Sequence, residues 1–294
     1  MKKLRDISLI FICDANAYST IDLPKYSYMV SEHFGYHVRN IDKDLNERKD
    51  FEAAISFLKE SGYHGIMIPL MFNMDVLVKE VKNIVESYGI NISGLATDHY
   101  YTHLNYYLTN TNSAVKARAL DIMMSGISVS DVLSAPLIIG LIRGGNMRDE
   151  KSNIWLHAAL KILDKKARDL NVQILIEPLN HYETGYLNTV AEAYDLIERL
   201  ELEKTGILIN TYHMNIEEGD YERPILHARE KIWHVKFSDN NRLPPGFGHI
   251  DFESIVGSLK KVGYDGWYSV ECLPRPNSRD AAVVSISFLR DMIG

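Results

Sequence analysis

The feature that most constrains this sequence is a series of short apolar runs, rich in isoleucine, valine and leucine, that recurs along the chain. Eight such runs lie at residues 7–13, 65–70, 90–96, 137–142, 172–177, 206–210, 232–237 and 267–271. Because nearly every position in each run is apolar, the runs are typical of strands covered on both faces. That is the situation of strands in a parallel sheet.

The stretches between these runs carry apolar residues at the spacing of one helical face. They include Phe51, Ala54, Ile55 and Leu58; Leu77, Val81, Ile84 and Tyr88; Trp155, Ala158, Ala159 and Ile162; Val190, Ala193, Tyr194 and Ile197; and Phe252, Ile255, Val256 and Leu259. Thr189 and Glu192 have the spacing of a capping box at the start of one helix. Gly62, Gly89 and Gly263 are expected where helices end.

Eight strand–helix units in 294 residues predict an α/β fold, a single (β/α)8 TIM barrel. A right-handed series of that number closes on itself within about 250 residues. An open, doubly wound parallel sheet is the alternative. No Gly/Ser linker or shift in composition divides the chain, so residues 1–294 are expected to form one barrel domain. The surplus length lies mainly in segments 15–49 and 98–112, which are expected to cover the site.

Charge and composition restrict the partners. The chain has 32 Lys and Arg against 39 Asp and Glu, a net charge of −7 without a basic block, so no nucleic-acid partner is expected.

Two cysteines cannot build a disulfide framework, which favours a cytoplasmic location. The amino end imitates an export signal, but Asp14 ends its apolar run and no cleavage site follows. No run of about 18 apolar residues predicts a membrane span. The tyrosines of segment 98–112 and the amino-terminal segment are candidates for a homo-oligomer interface.

Polar residues interrupt the apolar runs at the carboxyl ends of the later strands, where the reacting groups of a barrel lie. They are Glu177, Asn210 with His213, Lys236 with Asp239 and Arg242, and Glu271. Any one of these residues, taken alone, is as well explained by capping a helix or forming an ion pair on the surface. Asp239, beside two asparagines, is expected to serve its loop. Because buried charge is costly unless it is paired or used, the whole set favours a catalytic mouth at this end of the barrel.

Several segments resemble the xylose-isomerase-like barrels of sugar isomerases and epimerases. They are GLIRG, EPLNHYETGYLNT, INTYHMNIEEGD, SDNNRLPPGFGHIDF and GYDGWYSVECLPRP, together with LTNTNSAVKARA after strand three. The resemblance is strongest to the branch of ketose 3-epimerases and 5-keto-L-gluconate epimerase. Residues before about Leu104 resemble it only in general form.

This resemblance implies an isomerase or epimerase that acts on a keto-sugar or keto-sugar acid. It also implies a divalent cation, Mn²⁺, Mg²⁺ or Co²⁺, held by Glu, Asp, His and Glu, with the two glutamates moving a proton at a carbon beside a carbonyl. Those glutamates fall on Glu177 and Glu271. The substrate contacts of the family fall on Glu183, His213 and Arg242.

Three positions depart from the family pattern. Asn210 stands where the metal-binding Asp is expected, Lys236 where the metal-binding His is expected, and His181 where an arginine is usual. Exchanging an aspartate and a dication for an asparagine and one ammonium leaves the net charge of the site unchanged. A retained dication would meet about 8 kcal/mol of repulsion from the ammonium at roughly 4 Å and an effective dielectric of about 20. An ammonium group is also no metal ligand.

The sequence therefore predicts a metal-independent enzyme with no cofactor. The ammonium of Lys236 would stabilise an enediolate, while Glu177 and Glu271 exchange a proton on opposite faces of the reacting carbon. Asn210 would hold the ammonium or the substrate oxygen, and His181 is a further candidate substrate contact. If a metal does bind, its candidate ligands are Glu177 and Glu271 with Asn210.

Two other functions fit the same residues. A barrel that has lost its activity would bind sugar without exchanging a proton, and a metal-dependent epimerase would still hold a divalent ion. The related apurinic endonuclease barrels need several metals and a basic, DNA-facing surface, neither of which the sequence indicates. The residues leave open which sugar or sugar acid is bound, and whether the reaction is epimerisation or aldose–ketose isomerisation.

Overall fold

Eight parallel strands close into a barrel in the computed structural model, which describes residues 7–10, 45–70, 74–145 and 150–293. The strands are β1 (Ile7–Ile10), β2 (Gly65–Pro69), β3 (Asn91–Ala96), β4 (Leu137–Ile139), β5 (Ile174–Ile176), β6 (Thr205–Asn210), β7 (Ile232–Phe237) and β8 (Trp267–Glu271). Each strand pairs with the next along the chain, and Ile10 of β1 pairs with Glu271 of β8. The predicted (β/α)8 barrel is confirmed, and the open sheet is wrong.

Helices follow the strands in the described ranges. They are α1 (Leu45–Ser61), α2 (Met74–Ser87), α3 (Asp98–Thr102), α4 (Ser113–Leu133), α5 (Glu150–Leu170), α6 (Val190–Leu200), α7 (Thr211–Glu217), α8 (Glu222–His227), α9 (Phe252–Lys261) and α10 (Ser278–Ile293). The capping box of Thr189 and Glu192 is present at the start of α6. Gly62, Gly89 and Gly263 follow helices with φ of 95°, 63° and 69°, so they end these helices as predicted. Over this part of the chain, no helix is both long and apolar enough to cross a bilayer.

Helix α5 buries a different face from the predicted one. Leu156, Leu160 and Leu163 pack into the core, whereas Trp155 is 52% exposed and Ile162 is 46% exposed. The helix carries apolar residues on two faces, so the spacing predicts the helix correctly but its buried side only in part, since Ala159 alone of the four predicted residues is buried.

The two segments of surplus length have different outcomes. Most of segment 15–49, and Cys13 before it, lie outside the described residues. Segment 98–112 begins with α3, and Tyr100 in that helix is buried in the core. Tyr101, Tyr106 and Tyr107 are partly exposed, so they alone remain candidates for an interface in this segment. The single domain over residues 1–294 stays a prediction.

The hydrophobic core has an inner and an outer layer. Met67, Ala96, Ile138, Leu175 and Leu208 form a small cluster with one residue from each of β2 to β6. Leu175 and Leu208 lie two residues before Glu177 and Asn210, so side-chain alternation puts all of them inside the barrel. The larger cluster fills the space between strands and helices. Apolar packing therefore closes the barrel interior below the polar side chains at the carboxyl ends of the strands.

Candidate active site

Two glutamates and a lysine meet at the carboxyl end of the barrel. Glu177 directly follows β5, Lys236 lies in β7 and Glu271 ends β8. Lys236 Nζ donates a hydrogen bond to Glu177 Oε2 at 2.8 Å and lies 3.6 Å from Glu271 Oε2. The side chains of Lys236 and Glu177 are 1% and 2% exposed, so water screens their charges little. One cation thus lies between two carboxylates in a largely buried site.

The amide of Asn210 joins the same two glutamates. Its Nδ2 donates to Glu177 Oε1 at 2.9 Å and to Glu271 Oε2 at 2.9 Å. Its Oδ1 accepts the backbone N–H of Tyr212 at 3.1 Å, which caps α7. Because an ionised aspartate has no hydrogen to donate, the asparagine is suited to hold two carboxylates facing each other.

The charges of this cluster stabilise one another. Burial alone would lower the pKa of Lys236, but the nearby Glu177 and Glu271 raise it above its ordinary value. Burial would raise the pKa of Glu271, but Lys236 and Arg242 outweigh burial and lower it. The ammonium of Lys236 and the carboxylate of Glu271 are therefore both charged at neutral pH.

Arg242 connects this cluster to a second group of polar side chains. Its Nη1 lies 3.5 Å from Glu271 Oε2, and its Nη2 lies 3.6 Å from Glu183 Oε1. The guanidinium carbon is 3.8 Å from the ring centroid of Tyr212, which orients the group by stacking. Burial raises the pKa of Glu183, although Arg242 opposes that rise.

His213 completes the second group. Burial, and then the charge of Arg242, lower the pKa of His213 well below its ordinary value, so the ring is neutral. Nδ1 accepts the backbone N–H of Asn180 at 3.2 Å, so the ring hydrogen belongs on Nε2. Nε2 lies 3.3 Å from Arg242 Nη2, so two nitrogens that both carry hydrogens are neighbours at this point of the mouth.

The structure brings the predicted site residues together with one exception. Glu177, Glu183, Asn210, His213, Lys236, Arg242 and Glu271 form the two connected groups described above. His181 is half-exposed, and its backbone N–H donates to Glu217 Oε1 at 2.6 Å. Its ring Nδ1 lies 2.5 Å from the same oxygen. A substrate contact through His181 stays a prediction.

The donor set does not fit the divalent ion that the resemblance implies. Both glutamates already accept hydrogen bonds from the Asn210 amide or the Lys236 ammonium, and neither donor nitrogen offers a lone pair to a metal. His234, two residues before Lys236 in β7, is buried with Nε2 at 2.5 Å from Ser269 Oγ. Among the residues described, no group of three or more His, Cys, Asp or Glu side chains is arranged to hold a metal.

Asp98 lies at this mouth and was not among the predicted residues. It is the first residue of α3, and its Oδ1 accepts the backbone N–H of Leu141 at 2.5 Å. Burial, and then the charge of Glu177, raise the pKa of Asp98 to about 7. The sequence does indicate this position. Asp98 lies two residues after the apolar run 90–96, and Glu177 is the acidic residue that ends the run 172–177, so both mark the carboxyl end of a strand.

Arg143 was also missed. This fully buried residue donates hydrogen bonds to the backbone carbonyls of Glu177 at 2.8 Å, Gly140 at 3.0 Å and Leu187 at 3.2 Å. It therefore fixes the backbone that carries Glu177. Asp239 accepts three backbone N–H groups of its own loop, which is the structural role that the sequence predicts.

Comparisons with known proteins give this geometry a context. A family model described as xylose isomerase-like TIM barrel matches residues 55–292. The chain is 29% identical over 223 residues to a ketose 3-epimerase of Arthrobacter globiformis, covering 72% of this chain and 74% of that protein. It is 27% identical over 225 residues to an L-ribulose 3-epimerase of Methylomonas sp., covering 72% and 75%. The crystal structure of a D-allulose 3-epimerase from Methylomonas sp. has the same fold, with a TM-score of 0.73 at 22% identity over 82% of this chain and 91% of that chain.

Proposed function

We propose that this chain, which belongs to the xylose isomerase-like TIM barrel family, is a carbohydrate epimerase that inverts a stereocentre beside the carbonyl of a keto-sugar. Relatives named ketose 3-epimerase and L-ribulose 3-epimerase support the reaction class. The position of the Lys236 ammonium, hydrogen-bonded to one glutamate and close to the other, is the observation that carries the mechanism.

Glu177 and Glu271 are the proposed acid–base pair. One carboxylate removes the proton from the carbon beside the carbonyl, and the electron pair of that C–H bond moves to the carbonyl oxygen to form an enediolate. The other glutamate, ionised in the free protein, takes up one proton from solvent as the substrate binds and returns it to the opposite face of the same carbon. While substrate is bound, the pair carries one proton, and each turnover exchanges the roles of its members. The Asn210 amide supports this assignment because it holds both side chains at one place.

Lys236 is the proposed cation for the enediolate oxygen. An ammonium has three hydrogens, of which one bonds Glu177 and a second faces Glu271. The third is left for a substrate oxygen. In a buried site such a fixed cation stabilises developing negative charge more strongly than it would in water. We therefore propose that the reaction needs no metal.

Arg242, Glu183 and His213 are the proposed substrate contacts. The guanidinium and carboxylate groups suit sugar hydroxyls that accept and donate hydrogen bonds respectively. The Nε2–H of the neutral His213 adds a donor that does not depend on pH near neutrality. His181 lies beside Glu217 at the partly exposed rim of the site, and we propose that it contacts the outer end of the substrate.

Hydrogen exchange in heavy water tests this proposal. The protein is stripped of metal with a chelator and incubated in D₂O with D-psicose or L-ribulose, and deuterium at the reacting carbon is followed by NMR. We expect exchange and epimer formation at the same rate with and without chelator. Glu271→Gln should slow both by about 100-fold or more, while Glu230→Gln, at an exposed surface pair, should change neither.

Two results would contradict the proposal. Sugar binding without exchange indicates a barrel that has lost its activity. Exchange that stops with the chelator and returns with Mn²⁺, Mg²⁺ or Co²⁺ indicates a metal-dependent epimerase.

A further inference from the structure

The carboxyl group of Asp98 has no part in the reaction proposed above, yet it lies at the same end of the barrel as the proposed catalytic residues. It follows β3, which lies across the closed barrel from β7 and therefore from Lys236. Glu177, Lys236 and Glu271 all act on it electrostatically. Arg143, from the segment after β4, is the further charged group that interacts with it. Asp98 thus belongs to the wall of the mouth opposite the proposed catalytic cation.

The position of this carboxyl group is set by its neighbours. Oδ1 accepts the Leu141 backbone N–H, which ties the segment after β3 to the segment after β4. A Cβ atom on Gly140 would lie 2.3 Å from Oδ1 and 3.0 Å from Oδ2, so the carboxyl group lies directly against the glycine backbone. Residue 140 is a glycine because no larger residue leaves this space to Asp98.

The second oxygen of Asp98 has a different environment. Among residues 7–10, 45–70, 74–145 and 150–293, none donates a hydrogen bond to Oδ2. The side chain is only partly buried, so the group is neither packed into the core nor placed on the outer surface. The raised pKa has the same cause, because burial and the charge of Glu177 disfavour the ionised form more than the one hydrogen bond favours it. An oriented acceptor without a donor, at the mouth that holds Glu177, Lys236 and Glu271, is suited to a hydroxyl group.

We propose that Asp98 binds one hydroxyl group of the substrate sugar through Oδ2 and so determines which keto-sugars the site accepts. The proposal rests on the proposed function, since the ligand is the same keto-sugar. A sugar whose carbonyl oxygen lies at Lys236 on one wall directs the hydroxyl groups of its other carbons toward the opposite wall. Asp98 is the carboxyl group that the β3 side of the mouth offers there.

Equilibrium binding of sugars that lack single hydroxyl groups tests the assignment. D-Psicose and its 1-deoxy and 6-deoxy analogues, with L-ribulose as a shorter ketose, are titrated calorimetrically into wild type, Asp98→Ala, Asp98→Asn and the control Asp121→Asn on the exposed face of α4. A hydroxyl bonded to a charged or strongly polar group is worth about tenfold to hundredfold in affinity. We expect Asp98→Ala to weaken binding by that factor for every sugar except those that lack the contacted hydroxyl, which both proteins should bind equally. Asp121→Asn should bind as wild type does.

The Asp98→Asn side chain keeps an oxygen that can accept the Leu141 N–H. If Asp98→Ala does not fold, the sugar affinities of Asp98→Asn are compared with those of wild type instead. An unchanged affinity in both Asp98 variants would overturn the assignment, and so would an equal loss for every sugar, which indicates a structural role. Binding does not require turnover. Wild-type protein that binds D-psicose but exchanges no deuterium would therefore defeat the proposed function without affecting the role of Asp98.

Discussion

Replacing Lys236 by methionine tests whether the Lys236 ammonium compensates the negative charges of Glu177 and Glu271. Nζ lies 2.8 Å from Glu177 and 3.6 Å from Glu271, where Coulomb attraction amounts to about 6 and about 5 kcal/mol at an effective dielectric near 20. Desolvation of the charges offsets much of this, and removing one partner of a buried ion pair costs about 3–5 kcal/mol. At about 2–4 °C per kcal/mol for a large domain, Lys236→Met should unfold roughly 6–20 °C below wild type.

The loss of stability should depend on pH. In wild type, burial raises the pKa of Glu271, but Lys236 and Arg242 outweigh burial and hold it below its ordinary value. The ionised Glu271 therefore stabilises the fold above the pKa of the unfolded chain, about 4.3, and this contribution is lost as pH falls through the lowered value. Without Lys236 the charge is poorly compensated, so the gap between wild type and variant should be wider at pH 7 than at pH 4.5.

Urea unfolding followed by circular dichroism measures this gap, and an exposed ion pair supplies the control. Lys261 Nζ lies 2.6 Å from Glu222 Oε1, but the lysine side chain is 60% exposed, so Lys261→Met should cost under about 1 kcal/mol. Adding Glu177→Gln to Lys236→Met should restore part of the stability, because it removes an uncompensated charge. A Lys236→Met protein as stable as wild type at pH 7, or a double variant that recovers nothing, would refute the reasoning.

Other changes at the mouth have distinct expected outcomes. Asn210→Asp combined with Lys236→His supplies the ligand types that the family resemblance implies, so it should bind Mn²⁺ tightly in a calorimetric titration; no binding would show that the positions do not correspond. Burial and Glu177 raise the pKa of Asp98 to about 7, so its ionisation costs stability as pH rises from about 3.9 to about 7. Asp98→Asn should therefore be more stable than wild type at pH 8, by up to about 4 kcal/mol, and no more stable at pH 3.5; an equal shift in urea unfolding at both values would count against this cause. Gly140→Ala puts a Cβ 2.3 Å from Asp98 Oδ1 and must displace that carboxyl group, so it should weaken D-psicose binding in the same calorimetric assay, and wild-type affinity would argue against the contact.

The barrel could be predicted because its sequence signals are local and repeated. Each of the eight apolar runs overlaps a strand, and Gly62, Gly89 and Gly263 lie just after helices. The buried face of α5 could not be predicted in the same way. Leu156 and Trp155 both belong to apolar faces of that helix, and only packing against the barrel selects the leucine side.

The site was predictable from the strands whose polar residues break an apolar run. Glu177, Lys236 and Glu271 were found in this manner, and their side chains meet in the structure. Asp98 was missed because it reads as the first residue of a surface loop. Its direction depends on contact with Gly140, which is 42 residues away along the chain and close only in the folded barrel.

Anomalous diffraction from crystals grown with MnCl₂ tests the central claim most directly, which is that the Lys236 ammonium occupies the place of a divalent ion. Data at the manganese edge should show no anomalous peak between Glu177 and Glu271, with Nζ within hydrogen-bonding distance of the Glu177 carboxylate. A manganese peak bonded to both glutamates, with the lysine side chain turned away, would contradict the account.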